Sequence, residues 1–111
     1  MPDTSRIDEL KRRVRQDPGS IAFAQLAEEY RRGGQLEDAI ETCRAGLEVH
    51  PSYLSARVTL GRALLESCAF EAGQEELRKV LASAPDNLAA NRTLADACVR
   101  AGRLEDAVQY F

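Results

Sequence analysis

Shifted by 34 residues, this chain lies on itself, and no other feature restricts its fold so tightly. The overlay sets residues 20–53, 54–87 and 88–111 as three successive blocks. Their seventh position reads Leu26, Leu60, Leu94, and their eighth Ala27, Gly61, Ala95. The seventeenth reads Leu36, Phe70, Leu104 and the twentieth Ala39, Gly73, Ala107, while Pro51 and Pro85 close the first two blocks at equal places. The stretches GGQLEDAI (Gly33 to Ile40) and AGRLEDAV (Ala101 to Val108) nearly coincide. A fixed interval of this size marks one supersecondary unit stacked along an axis.

Each unit reads as two helices. In the first block Ile21, Phe23, Leu26, Ala27 and Tyr30 recur at helical spacing until Gly33-Gly34 breaks the run. Leu36, Ala39, Ile40, Cys43 and Leu47 carry a second helix, which stops before Pro51 because proline disfavours helix in the residue ahead of it. Small residues at the eighth and twentieth positions mark where two backbones approach. Two short amphipathic helices cannot bury their apolar faces alone, so successive pairs are expected to stack into a continuous core. Ahead of the blocks, residues 1–19 predict one more helix. Ser5 with Asp8 resembles a capping box, Ile7, Leu10 and Val14 form its apolar stripe, and Asp17-Pro18-Gly19 ends it.

The small eighth residue, the aromatic at the eleventh (Tyr30), alanine at the twentieth and proline at the thirty-second together resemble the tetratricopeptide repeat over residues 20–111. Other positions depart from that pattern. The large aromatic common at the fourth position is Phe23, then Arg57, then Asn91, and the eleventh runs Tyr30, Leu64, Cys98. The resemblance implies an all-α fold, a right-handed solenoid of antiparallel helix pairs. It is divided as an N-terminal capping helix or half-repeat (1–19), two repeats (20–53 and 54–87) and a third, truncated one (88–111). Solenoids finish on a polar-faced cap, whereas Val108, Tyr110 and Phe111 are apolar or aromatic. The expectation is therefore a piece of a longer array.

Composition narrows the function classes. A net charge of −3 argues against nucleic acid as the main partner, since phosphate binding draws on a basic excess. The first residues hold no apolar run of the kind a secretory signal needs, and no stretch is long enough for a membrane span. A cytoplasmic, bacterial protein is expected. Nothing supports catalysis. The single histidine, His50, stands before Pro51 at a helix end, and the three cysteines show no metal-ligand spacing. Cys43 and Cys98 fall at core positions, whereas Cys68 falls in a turn. Asn91-Arg92-Thr93 matches a glycosylation sequon but lies in a predicted helix, and Lys11 to Arg15 read as a solvated helix face. No cofactor or metal is expected.

The resemblance also implies where a partner sits. In the family, the first helices of successive repeats line a concave groove. Carried over, its positions are Ile21, Ala24, Glu28, Arg31 and Arg32; Ser55, Val58, Arg62, Leu65 and Glu66; Ala89, Arg92, Asp96, Val99 and Arg100. The ninth and thirteenth positions alternate in sign, Glu28 with Arg32, Arg62 with Glu66 and Asp96 with Arg100, which suits mutual pairing at i to i+4. Arg31 and Arg92 have no partner on this stripe, and Val58, Leu65 and Val99 offer an apolar floor. The expected partner is a peptide or helix with an apolar anchor and a nearby acidic group. Repeats that grip chaperone C-termini carry a basic residue and asparagine where Ala24 and Glu28 stand, so that ligand is not expected. The alternatives are self-association through the C-terminal face and a regulatory segment of a larger enzyme.

Overall fold

The computed structural model describes residues 4–17 and 20–100. Six helices follow one another there: α1 (Thr4–Gln16), α2 (Ala22–Arg32), α3 (Leu36–Val49), α4 (Leu54–Glu66), α5 (Phe70–Ser83) and α6 (Leu88–Arg100), with no strand among the described residues. The pairs α2–α3 and α4–α5 occupy the first two blocks, and α6 opens the third. The second helix expected for block three, with Leu104, Val108, Tyr110 and Phe111, lies outside the described residues, as do Pro18 and Gly19. Helix α1 begins at Thr4, so Ser5 sits within its first turn and the expected capping box is displaced. Its stripe is nonetheless the buried one: Ile7 and Leu10 are enclosed and Val14 packs beside them.

The turn inside each pair has one geometry. After α2, the Gln35 N–H reaches back to the Tyr30 carbonyl at 2.9 Å and the Gly34 N–H to Arg31 at 3.0 Å. After α4, Ala69 bonds Leu64 at 2.8 Å and Cys68 bonds Leu65 at 3.1 Å. These paired bonds close the last helical turn around a left-handed residue. That residue is Gly34 (φ 79°) in block one and Cys68 (φ 70°) in block two. Glycine accepts the conformation freely, whereas a side chain there costs about 1 kcal/mol.

Within a pair the helices cross at the small residues. A Cβ added to Gly73 would stand 2.9 Å from the Gly61 carbonyl oxygen and 2.8 Å from Leu65 Cγ. Ala27 and Ala39, at the same two positions of block one, are fully buried. The backbones are this close because nothing larger than a methyl group intervenes.

The fourth position shows how the missing aromatics are replaced. Phe23 stacks on the His50 ring at 6.1 Å and meets Tyr53 edge-on, joining α2 to the turn after α3. In block two the Arg57 guanidinium instead donates to the Pro51 carbonyl at 2.8 Å and to Glu76 at 2.7 Å. In block three the Asn91 amide donates to the Pro85 carbonyl at 3.1 Å. Both polar residues fasten the start of their helix to the proline turn that precedes it.

Side chains from neighbouring pairs share each apolar cluster. Phe23 and Ala27 of α2, Cys43 and Leu47 of α3, and Leu60 and Leu64 of α4 form one, and Leu77 and Val80 of α5 join Val58, Ala90 and Leu94 in the next. Helix α2 touches α4, and α4 touches α6, whereas α3 and α5 do not meet. The first helices thus form a continuous inner row with the second helices splayed outside it, in a body of 46 × 30 × 19 Å.

Two substitutions should move stability in opposite directions in urea unfolding. Gly73→Val, which drives a side chain into the Gly61 backbone, is expected to lose about 2 kcal/mol. Cys68→Gly, which relieves the left-handed residue, is expected to gain about 1 kcal/mol.

Candidate partner-binding groove

Two clefts open between successive helices of the inner row. The first, about 320 Å³, runs between α2 and α4 and is lined by Ala24, Glu28, Arg32 and Ser55 of the expected stripe, with Arg6 of α1 and Glu29 beside them. The second, about 110 Å³, lies between α4 and α6 and brings together Arg62, Leu65, Glu66, Asp96 and Arg100. Five residues chosen from the repeat positions thus converge on one cleft. Arg92 and Val99 are exposed and line neither cleft.

Three expectations are corrected. Val58 is no floor for a ligand: it is only 7% exposed and packs against Leu77, Val80, Ala90 and Leu94. At the fifth position of block two the next helix pair lands, which converts a groove residue into core. Arg31 is not unpaired. Its Nε stands 2.5 Å from Glu28, and its Nη1 reaches Glu66 on α4 at 2.6 Å, with the side chain only 16% exposed. Burial alone would lower the Arg31 pKa, but the hydrogen bond and charge of Glu28, and then Glu66, outweigh it and hold the pKa above its ordinary value. The expected ladder at i to i+4 is therefore replaced by one shared arginine. Glu28 turns to i+3, Glu66 turns across the stack, and neither Arg32 nor Arg62 holds an acid among the described residues.

Sequence reasoning missed Phe70, Thr93 and Ala97 in the second cleft. Phe70 stands at the seventeenth position, where the other blocks carry leucine, and its larger ring was the available signal. Leu36, its counterpart, packs partly buried against the first core cluster, whereas Phe70 is 55% exposed.

The remaining reactive groups have structural surroundings. The Cys43 thiol is buried, donates toward the Ala56 carbonyl at 3.5 Å, and has its pKa pushed up to about 12 by burial and then by the nearby Glu28 charge. Cys98 is buried and Cys68 exposed. His50 caps α3, its N–H bonded to the Gly46 carbonyl. Asn91 and Thr93 of the sequon bond carbonyls along α6, and Lys11 lies 5.8 Å from the Tyr30 ring centroid. Among the described residues no group of histidine, cysteine and carboxylate side chains is placed to hold a metal ion, and no helix is long and apolar enough to cross a membrane.

Residues 24–67 and 58–111 match the sequence pattern of the tetratricopeptide repeat, together covering most of the chain. The chain belongs to the tetratricopeptide repeat family, whose stacked helix pairs serve as scaffolds for protein–protein interaction. Solved structures of MamA share the fold. One superposes with a TM-score of 0.83 at 21% identity, over 94% of this chain and 61% of that one. MamA of MSR-1 gives 0.77 at 22% identity, over 97% of this chain and 65% of that one. MamA of AMB-1 gives 0.75 at 23% identity, over 95% and 58% respectively. The chain thus spans about three-fifths of the length of the MamA chains it matches. No curated protein matches the sequence.

The thiols provide a check on this arrangement. In native protein at pH 8, iodoacetamide should label Cys68 first, with Cys43 and Cys98 reacting only as the chain unfolds. The folded Cys43 thiol keeps its proton to higher pH than an unfolded thiol at its ordinary value of 9.0. Its contribution to stability is therefore complete below about pH 9 and is lost as pH rises toward 12. The loss should be at most about 1.4 kcal/mol per unit in alkaline urea titrations, and absent in Cys43→Ala.

Proposed function

We propose that this chain is a binding scaffold that lays a peptide or helix of a partner protein along the inner row formed by α2, α4 and α6. The observation that carries this reading is the convergence of Arg62, Leu65, Glu66, Asp96 and Arg100 on one cleft between two first helices. Helix α4 contributes a wall to that cleft and to the one between α2 and α4. The two together offer a track of polar and apolar side chains on helices already held by their own cores, so a ligand meets a preformed surface. The partner has an apolar side chain to anchor and an acidic group beside it, which Arg62 and Arg100 are disposed to meet. The Glu28 carboxylate in the first cleft disfavours a partner that presents its terminal carboxylate there.

On this reading the chain works in the cytoplasm, performs no catalysis and engages neither membrane nor nucleic acid as its main ligand. The competing reading is self-association of the chain through its C-terminal face.

Site-specific photocrosslinking in the producing cell tests the assignment. A benzophenone side chain at Ser55 or Thr93, both beside the clefts, should give adducts of discrete mass. The same group at Glu75 or Ala82, exposed on α5, should give none. Adducts confined to the outer positions would remove the inner row as the binding surface, and adducts of twice the chain's own mass would point to self-association.

A further inference from the structure

On the outer side of the stack, a groove of about 350 Å³ opens between α1 and α3. Phe23 and Leu26 of α2 form its floor, with Val14 of α1 on one wall and Thr42, Ala45 and Val49 of α3 on the other. Glu41 is the one charged residue of this lining. The Phe23 ring lies against the bare backbone of Gly46, where an added Cβ would overlap it. One repeat further on, the same places are polar. Thirty-four residues after Val14, Phe23, Thr42, Ala45 and Val49 come Glu48, Arg57, Glu76, Lys79 and Ser83. There Arg57 and Lys79 both reach Glu76, at 2.7 and 3.3 Å, and Val80 stands in place of Gly46. The apolar lining thus belongs to this groove and is not imposed by the repeat.

The two walls carry opposite charge. Arg6, on one flank of α1, lies in the cleft between α2 and α4, so Lys11 and Arg15 on the other flank stand toward α3. Asp8 is the one acid of that flank, and Glu9 takes up Arg12 and Arg13. On α3, Asp38 and Glu41 continue the stripe of Ala45 and Val49, while Arg44, its one base, is not part of the lining. Among the described residues no ion pair engages Lys11, Arg15, Asp38 or Glu41. The walls also run the same way. Lys11 lies over Tyr30 and Val14 nears Phe23, just as Leu36 packs in the Tyr30 cluster and Gly46 abuts Phe23. Each wall is about 20 Å long.

We infer that the α1–α3 groove is a second docking surface, which takes an amphipathic helix of a partner protein. Its apolar stripe enters between Val14 and Val49, with acids on the flank against α1 and bases on the flank against α3. Two parallel helices with an apolar floor between them form the furrow into which the side-chain ridge of a third helix packs. Walls of opposite sign select a helix whose flanks are also of opposite sign, and fix which way round it lies. A helix of one charge would meet one repelling wall. An anionic membrane would be repelled by Asp38 and Glu41, and a second copy would set its own hollow over this one. The groove shares no residue with the inner-row clefts, so it provides for a second partner.

Three synthetic helices of about four turns, alike in a leucine stripe, test the inference by amide chemical-shift mapping on the full chain. One carries glutamate on one flank and lysine on the other, one glutamate on both, and one lysine on both. The first should shift the amides of Val14, Thr42, Ala45 and Val49 and bind about fivefold or more tighter than either of the others. Thr42→Glu with Ala45→Lys installs the side chains that the fold already carries one repeat on. This variant should keep its helical circular dichroism and lose the shifts. Asp38→Lys with Glu41→Lys makes both walls basic and should reverse the preference, toward the helix with glutamate on both flanks. Equal binding of all three helices would overturn the charge assignment, and no groove shift from any of them would overturn the site. Groove signals that move with chain concentration alone would make a second copy the occupant, and movement on anionic vesicles would make it a membrane. Either result overturns the inference. Shifts confined to Ser55 and Thr93 would do the same while leaving the inner row standing, so the two readings fail by different results.

Discussion

The crossing of two helices at Gly61 and Gly73 is the constraint on which the rest of this structure depends. With backbone set against backbone, each helix spends only a narrow strip on its partner, and the side chains to either side of that strip stay uncovered. Leu60 and Leu64 therefore turn toward α3, and Val58 turns toward α5 and α6. A pair built this way cannot close on itself. It can only hand its remaining apolar face to the next pair, which is why the core runs through the stack as overlapping clusters. The inner row and its clefts follow from the same geometry, because first helices in contact leave shallow furrows between them.

Charge is arranged on top of this frame. Arg31 belongs to the first pair by chain and to the second by contact, since it holds Glu28 and Glu66 together. The bridge ties the second pair to the first and orients two carboxylates that still line the clefts. Arg57 performs a comparable task on the outer side, tying the proline turn to Glu76 on α5. Partly exposed ion pairs of this kind add little stability individually. Their larger effect is on where the surface charges point.

Much of this organisation was legible in the residues. The interval of 34 placed α2 to α6, the stripe of Ile7, Leu10 and Val14 placed α1, the small residues located the crossings, and Cys43 and Cys98 were recognisable as core. The site was less legible, for physical reasons that differ from residue to residue. A helical repeat position specifies a face but not what lands on it, so Val58 reads as groove until α6 covers it. Sign alternation along a helix suggests partners four residues apart, yet arginine is long enough to reach an adjacent helix, and Arg31 outcompetes Arg32 and Arg62 for their glutamates. Phe70 escaped because its position holds a packing leucine in the other blocks, and exposure depends on neighbours that spacing does not specify. The polar fourth-position residues depart from the family pattern, but the proline carbonyls give Arg57 and Asn91 hydrogen bonds that an aromatic could not make.

The splay of the outer helices has a mechanical consequence. Because α2, α4 and α6 touch while α3 and α5 do not, each outer helix meets the next pair only through that pair's first helix, α3 on α4 and α5 on α6. Any change in the wedge between the first two pairs has to work against the cluster in which Cys43 and Leu47 of α3 meet Leu60 and Leu64 of α4. The bend of the furrowed face is thus fixed by the cores that lie behind it, and a bound segment has to fit a curvature set before it arrives.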